Sequence, residues 1–124
     1  MEIIREKEFV NQFHYDARNF EWEKENGAPT TKAEVTFQLV KRDTETNETV
    51  LIARLQYMIV KDEFVISGVI SQGNRIQNRI IQEPAELSQE EVQDLAAPLL
   101  DMLKRLTYEV TEIALDRPGI TLEF

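Results

Sequence analysis

The sequence contains no cysteine, one histidine, four glycines and four prolines in 124 residues. Without cysteine there is no disulfide framework, no thiol nucleophile and no thiolate metal site. Four scattered glycines supply no loop that cradles phosphate. Apolar runs reach about four residues, far short of the roughly 20 that span a bilayer. The opening stretch, Met1 to Glu8, lacks the apolar segment of a secretion signal. Positive charge is scarce as well: 14 Lys and Arg stand against 23 Asp and Glu, for a formal net charge of −9. A chain this acidic repels phosphate backbones unless its basic residues are segregated, and no basic patch is visible. The expectation is a cytoplasmic protein that neither binds nucleic acid nor inserts into a membrane. What is present, 42% hydrophobic and 30% charged residues, suits one domain. A chain of this length buries roughly two-thirds of its unfolded surface and needs no covalent staple.

Aromatics crowd the N-terminal region, where Phe9, Phe13, Tyr15, Phe20 and Trp22 stand among charges. Strand periodicity puts Phe9, Asn11, Phe13 and Tyr15 on one face. Residues 3 to 22 therefore read as one long bent strand or two shorter ones, ended by the turn Asn26-Gly27-Ala28-Pro29. Residues 33 to 41 alternate, with Val35, Phe37 and Leu39 against Glu34, Thr36 and Gln38, as in a half-buried antiparallel strand. Residues 50 to 60 and 64 to 70 flank Lys61-Asp62-Glu63 and predict a central hairpin. Both of its strands are apolar on both faces, so both faces need cover. Ser71 to Pro84 reads as a crossover or a continued irregular strand. Ser88 and Glu91 form a capping box that opens a helix with the stripe Val92, Leu95, Ala96, Leu99, Met102, Leu103, Leu106, Val110, Ile113 and Ala114. Pro98 removes one helical donor, so a kink or break is expected there, with the main helix over residues 98 to 115. Residues 120 to 124 read as a docked apolar tail.

The fold class that follows is α+β: a four-stranded antiparallel sheet with one long helix, kinked or broken at Pro98, packed on one face. One helix covers one sheet face, so the second apolar face needs another chain or is an exposed apolar surface with a purpose. That predicts a homo-oligomer, a dimer or tetramer, with Ile52, Met58, Val60, Val65 and Val69 as interface candidates.

Chemistry is thin. His14 and Asp16 share a strand face about 7 Å apart, which suits an oriented base or simply a surface histidine. Glu21 and Glu23 flank Trp22 as a carboxylate pair or as a solvated face. Asp43 to Asn47 lacks the glycine and terminal ligands of a calcium loop. Arg75 and Arg79 suit an anionic partner or a solvated linker. Asn47-Glu48-Thr49 matches a glycosylation sequon and reads as a polar turn. No catalytic residue, metal or cofactor is expected. The N-terminal aromatics at strand spacing suit a core, or a groove whose pockets take alternate side chains of an added strand.

Three segments carry a family resemblance. Phe64-Val65-Ile66-Ser67-Gly68 resembles the aromatic-x-Ile-Ser-Gly start of the return strand in the SecB family of protein-export chaperones. Ala97-Pro98-Leu99-Leu100 resembles that family's Cys-Pro-x-x-Leu helix entrance, and Arg117 to Phe124 its Pro-x-Leu-x-Leu segment after the helix. The whole chain also resembles a small group of uncharacterised bacterial proteins of SecB-like fold. The resemblance implies a single SecB-like domain over residues 1–124, a dimer of dimers, and ATP-independent holding of unfolded polypeptides in apolar grooves. The family's Phe-Pro-Tyr-Ala-Arg-Glu run is replaced by Leu100 to Arg105, and its later Pro-Val-Asn-Phe run is missing. The Cys/His-bearing tail with which it docks an export motor has no counterpart here. The groove candidates are Phe9, Phe13, Tyr15, Phe20, Trp22, Phe64, Met102 and Leu106.

Overall fold

The computed structural model describes residues 1–123. Five strands and two helices follow in order: β1 (Glu2–Arg5), β2 (Phe9–Ala17), α1 (Phe20–Asn26), β3 (Lys32–Asp43), β4 (Glu48–Val60), β5 (Phe64–Gln77) and α2 (Gln89–Leu115). All pairings are antiparallel. β4 and β5 are central, and β3 forms one edge. The other edge is shared: β1 pairs with Asn74 to Gln77 of β5, and β2 with Phe64 to Ser71. The sheet thus has five strands but is four positions wide, because the first strand is interrupted. The interruption is held closed by Glu6, whose N–H donates to the Gly73 carbonyl at 3.0 Å. The Gln72 amide in turn donates to the Glu6 carbonyl at 2.8 Å.

β5 continues to Gln77, so the polar stretch after Ile70 is strand and not crossover. Its inward residues there, Gln72 and Asn74, are buried: the Gln72 amide donates to the Glu6 carbonyl and the Asn74 amide to the Gln72 carbonyl, while the side-chain oxygen of each has no partner among the described residues. The β3–β4 turn is an Asx-type turn. Asp43 accepts from the N–H of Glu45 and Thr46, and those donors hold its carboxyl below the usual range.

Leu51, Ala53, Leu55, Tyr57 and Ile59 of β4 share one face with Phe64, Ile66 and Ile70 of β5, and all are buried beneath α2. Val35, Phe37 and Leu39 extend that face across β3, as the alternation predicts. A second cluster, Leu51, Ile76, Ile81, Leu87 and Leu95, closes the end where α2 begins. Ile120 and Leu122 pack on the main cluster, so the tail is docked as far as it is described; Phe124 lies outside the described residues.

The helix corrects two expectations. It begins at the predicted capping box, with Ser88 accepting from the Glu91 N–H and Glu91 accepting from the Ser88 N–H. It is not broken at Pro98 but runs as one element of 27 residues. Proline at this position deprives the Asp94 carbonyl of its helical donor. Arg5 supplies another, donating to that carbonyl at 3.0 Å and to the Asp94 carboxylate at 3.2 Å. The buried stripe also drifts. Leu95, Leu99, Leu103, Thr107 and Thr111 follow the four-residue row, which rotates about 40° per step around the helix axis. The threonines bury by donating back to the carbonyls of Leu103 and Thr107. Ile113, expected in the stripe, is turned out at 82% exposure, and Ala114 is exposed too.

Candidate functional site

The N-terminal aromatics do not form one cluster. Val10 pairs with Ile70 and Gln12 with Val69, which leaves Asn11 as an extra residue, a β-bulge. The bulge resets the alternation, and Ser71 fixes it by donating to the Asn11 carboxamide at 2.7 Å. Phe13 and Tyr15 therefore turn inward with Val10, while Phe9 is left outward and 65% exposed. The expected common face of Phe9, Asn11, Phe13 and Tyr15 does not exist.

Phe20 and Trp22 are not on a strand. Asn19 accepts from the Trp22 N–H and caps α1, Glu21 and Glu23 stand in its first turn, and Gly27 ends it with φ 93°. Capping and charge placement outweigh the strand preference of two aromatics. Neither ring enters the core; Trp22 is 57% exposed. Arg18 organises this corner. Its guanidinium lies 4.6 Å from the Phe20 ring centre, pairs with Glu23 at 2.6 Å and donates to the Lys61 carbonyl at 3.1 Å. The Arg18 hydrogen bond holds the Glu23 carboxyl below its ordinary range, so Glu21 and Glu23 are not a free carboxylate pair. Sequence reading missed Arg18. The signal was Asn19 followed by an acidic first turn, which places α1 and with it the arginine just before the cap.

The remaining groove candidates divide by depth. Phe64 is 1% exposed and stacks on Tyr15 at 5.1 Å. Phe13 approaches Tyr57 at 6.4 Å. Burial pushes the Tyr57 hydroxyl up to about 12. Phe13, Tyr15, Met102 and Leu106 are half-buried on the margin of the main cluster. Exposed aromatics thus stand at both ends of β2, Phe9 on the face opposite α2 and Phe20 and Trp22 on α1, with half-buried Phe13 and Tyr15 between them on the inward face beside buried Phe64. Eight rises of about 3.3 Å put Phe9 roughly 26 Å from the α1 end. Beyond β2 no strand follows, so its outer backbone groups are unpaired in the sheet among the described residues.

The five interface candidates do come together. Ile52, Met58, Val60, Val65 and Val69 all point to the face opposite α2, half-buried, and no described element covers that face. His14 stands there too, exposed, in a shallow depression of about 450 Å³ that Lys32, Glu34 and Ser67 also line. It makes no hydrogen bond or ion pair to a described residue, so the base-and-orienter geometry is not formed. Arg79 ion-pairs with Glu91 and donates to the Glu86 carbonyl, tying the crossover to the start of α2. Arg75 lies 4.0 Å from Glu48. Among the described residues no carboxylate or histidine group is arranged to hold a metal, and no helix is long and apolar enough to cross a membrane.

Comparison with known proteins agrees with this architecture. No curated protein matches the chain. A protein of unknown function from Streptococcus agalactiae, solved as a crystal structure, is 69% identical with a TM-score of 0.97, covering 100% of this chain and 98% of that one. The Mycobacterium tuberculosis Rv1957 SecB-like chaperone, solved in complex with a ChAD peptide from the Rv1956 HigA1 antitoxin, shares 12% identity and a TM-score of 0.56. That match covers 98% of this chain and 90% of the chaperone. The fold is therefore SecB-like, as the three sequence segments imply. The model of the family described as "Protein of unknown function (DUF1149)" matches residues 1–124, and the chain belongs to that family.

Proposed function

We propose that the protein is a cytoplasmic, ATP-independent binder of extended or unfolded polypeptide, which docks along β2 and α1. The observation that carries this reading is the coincidence of exposed Phe9, Phe20 and Trp22 with a strand whose outer edge is open. An open edge is a hazard that proteins ordinarily blunt. Here it is bordered by large aromatics, the residues that dominate binding hot spots. A client adding to β2 as a strand would gain main-chain hydrogen bonds, with alternate side chains reaching the aromatic rim. The peptide complex of the Rv1957 chaperone supports a polypeptide ligand for this fold. The acidic composition keeps such a surface soluble. A second reading, a structural or regulatory homo-oligomer without clients, is favoured by the uncovered sheet face.

Light scattering from an aggregating, chemically unfolded client separates the two. The protein at several-fold excess suppresses the signal. Phe20→Ala with Trp22→Ala weakens suppression about thirtyfold, two exposed aromatic contacts of roughly 1 kcal/mol each. Both side chains are exposed, so the melting temperature of the double variant stays close to that of the parent. Absence of suppression by the parent protein at that excess overturns the proposal.

A further inference from the structure

We infer, on the docking reading above, that Arg18 is a positioning residue for polypeptide binding: it clasps α1 to the tip of the β4–β5 hairpin and so fixes Phe20 and Trp22 for a client. Little else holds this helix. It has seven residues, and among the described residues none of its side chains is fully buried. Glu23 alone is half-buried; the rest, Phe20 and Trp22 included, are exposed. Isolated helices shorter than about 12 residues are marginal in water, and most helices persist by packing an apolar face. α1 packs none, so its order has to come from polar ties.

The topology places those ties. The chain leaves β2 at one edge of the sheet and enters β3 at the other. Residues 18–31 therefore pass around the tip of the hairpin, Lys61-Asp62-Glu63, and are pinned to it at both ends. The Arg18 N–H donates to the Glu63 carbonyl at 3.0 Å, and the Arg18 guanidinium to the Lys61 carbonyl at 3.1 Å. At the far end Thr31 Oγ1 accepts from the Val60 N–H at 2.9 Å. Between these pins, the link from α1 to the hairpin among the described residues runs through the pairing of Glu23 with Arg18.

That pairing has the geometry of a clasp. Arg18 Nη2 donates to Glu23 Oε1 at 2.6 Å and Nε to Oε2 at 3.2 Å, a two-point contact that sets orientation as well as distance. The two side chains are 16% and 9% exposed, so water competes less than at an ordinary surface ion pair. The same guanidinium lies against the Phe20 ring, which is still 54% exposed and so remains open to a client. Trp22 is held through its backbone. Its N–H donates to the Asn19 carboxamide at 3.1 Å, and its carbonyl accepts from the Asn26 amide at 3.0 Å. Both bonds depend on the helical backbone that the clasp keeps in place.

Time-resolved fluorescence anisotropy of Trp22, the only tryptophan of the chain, reads the clasp without a client. In the parent the indole depolarises mainly with the tumbling of the whole domain. In Arg18→Gln and in Glu23→Gln the fast local component at least doubles in amplitude, and the double variant adds nothing further. Melting temperatures stay within a few degrees of the parent, since no buried apolar contact is lost. Half-suppression of client aggregation then takes about tenfold more protein, the factor expected when α1 is ordered one-tenth of the time. Arg117→Gln, which removes an exposed ion pair with Glu63 at the same hairpin tip, leaves anisotropy and suppression unchanged. If Arg18→Gln does not fold, the isosteric Glu23→Gln decides alone. Parental anisotropy in the folded variants overturns the inference, as does a double variant whose effects add. A mobile Trp22 with parental suppression overturns the positioning role and leaves the docking reading standing. A parent protein that suppresses nothing overturns the docking reading itself, and the positioning role with it.

Discussion

Phe64→Ala lowers the stability of the domain by about 4 kcal/mol, the cost of truncating a fully buried phenylalanine in a close-packed interior. The ring is 1% exposed, stacks on Tyr15 at 5.1 Å and belongs to the cluster beneath α2. Its removal deletes apolar contact and leaves a cavity under the β2 edge that the sheet backbone cannot collapse into. For a domain of this length the melting temperature falls by roughly 15 °C. Thermal denaturation followed by circular dichroism measures it. The same experiment separates two roles for this side chain. If Phe64 supports the rim from below, stability drops before any client is present. A melting temperature within a few degrees of the parent would mean that the ring acts by contact with clients alone.

Gly68→Ala has a comparable effect through a different cause. An added Cβ would lie 2.0 Å from the Gln12 carbonyl oxygen and 2.7 Å from the Tyr57 hydroxyl. The nearer obstacle is backbone, which no rotamer change relieves. It belongs to β2 just beyond the Asn11 bulge, where Phe13 pairs with Gly68. Tyr57 lies directly across from Gly68 on the other side and covers the space that the missing side chain leaves. The expected loss is about 3 kcal/mol, at the upper end of ordinary overpacking. It is concentrated in β2, whose only strand partner among the described residues is β5. Amide hydrogen exchange shows the pattern: residues 12 to 17 lose protection while the β3–β4 pairing keeps it. Parental protection along β2 would contradict the account of the bulge.

How much of this was legible in the sequence follows from how local each determinant is. β3, β4, the first half of β5 and the capping box of α2 were readable, because alternation and a four-residue motif are local signals. The second face of the hairpin was readable in part, since Ile52, Met58 and Val60 alternate with the buried residues of β4, although Arg54 and Gln56 share that face. Of the kink or break expected at Pro98, the break does not occur, because its remedy is distant: Arg5, 89 positions from Asp94, serves the carbonyl that the proline strands. The bulge at Asn11 was invisible for a related reason. One extra residue in a strand reverses every later side chain, and only the pairing with β5 reveals it. Thr107 and Thr111 were passed over because hydroxyls do not register as core, although back-bonding lets them bury. At the candidate site, the residue types were legible and their grouping was not. Five aromatics within 14 positions suggested one groove. The structure divides them into an inward pair, Phe13 and Tyr15, and an exposed set at the two ends of β2.

The central claim, that polypeptide docks along β2 and α1, is tested most directly by the emission of Trp22 during titration with a chemically unfolded, tryptophan-free client. Trp22 is the only tryptophan of the chain and is 57% exposed, so its spectrum reports that corner alone. Docking removes water from the indole, and the emission maximum moves to shorter wavelength in a saturable manner, with reduced quenching by a soluble quencher. An emission maximum and quenching that stay fixed throughout the titration would contradict the claim.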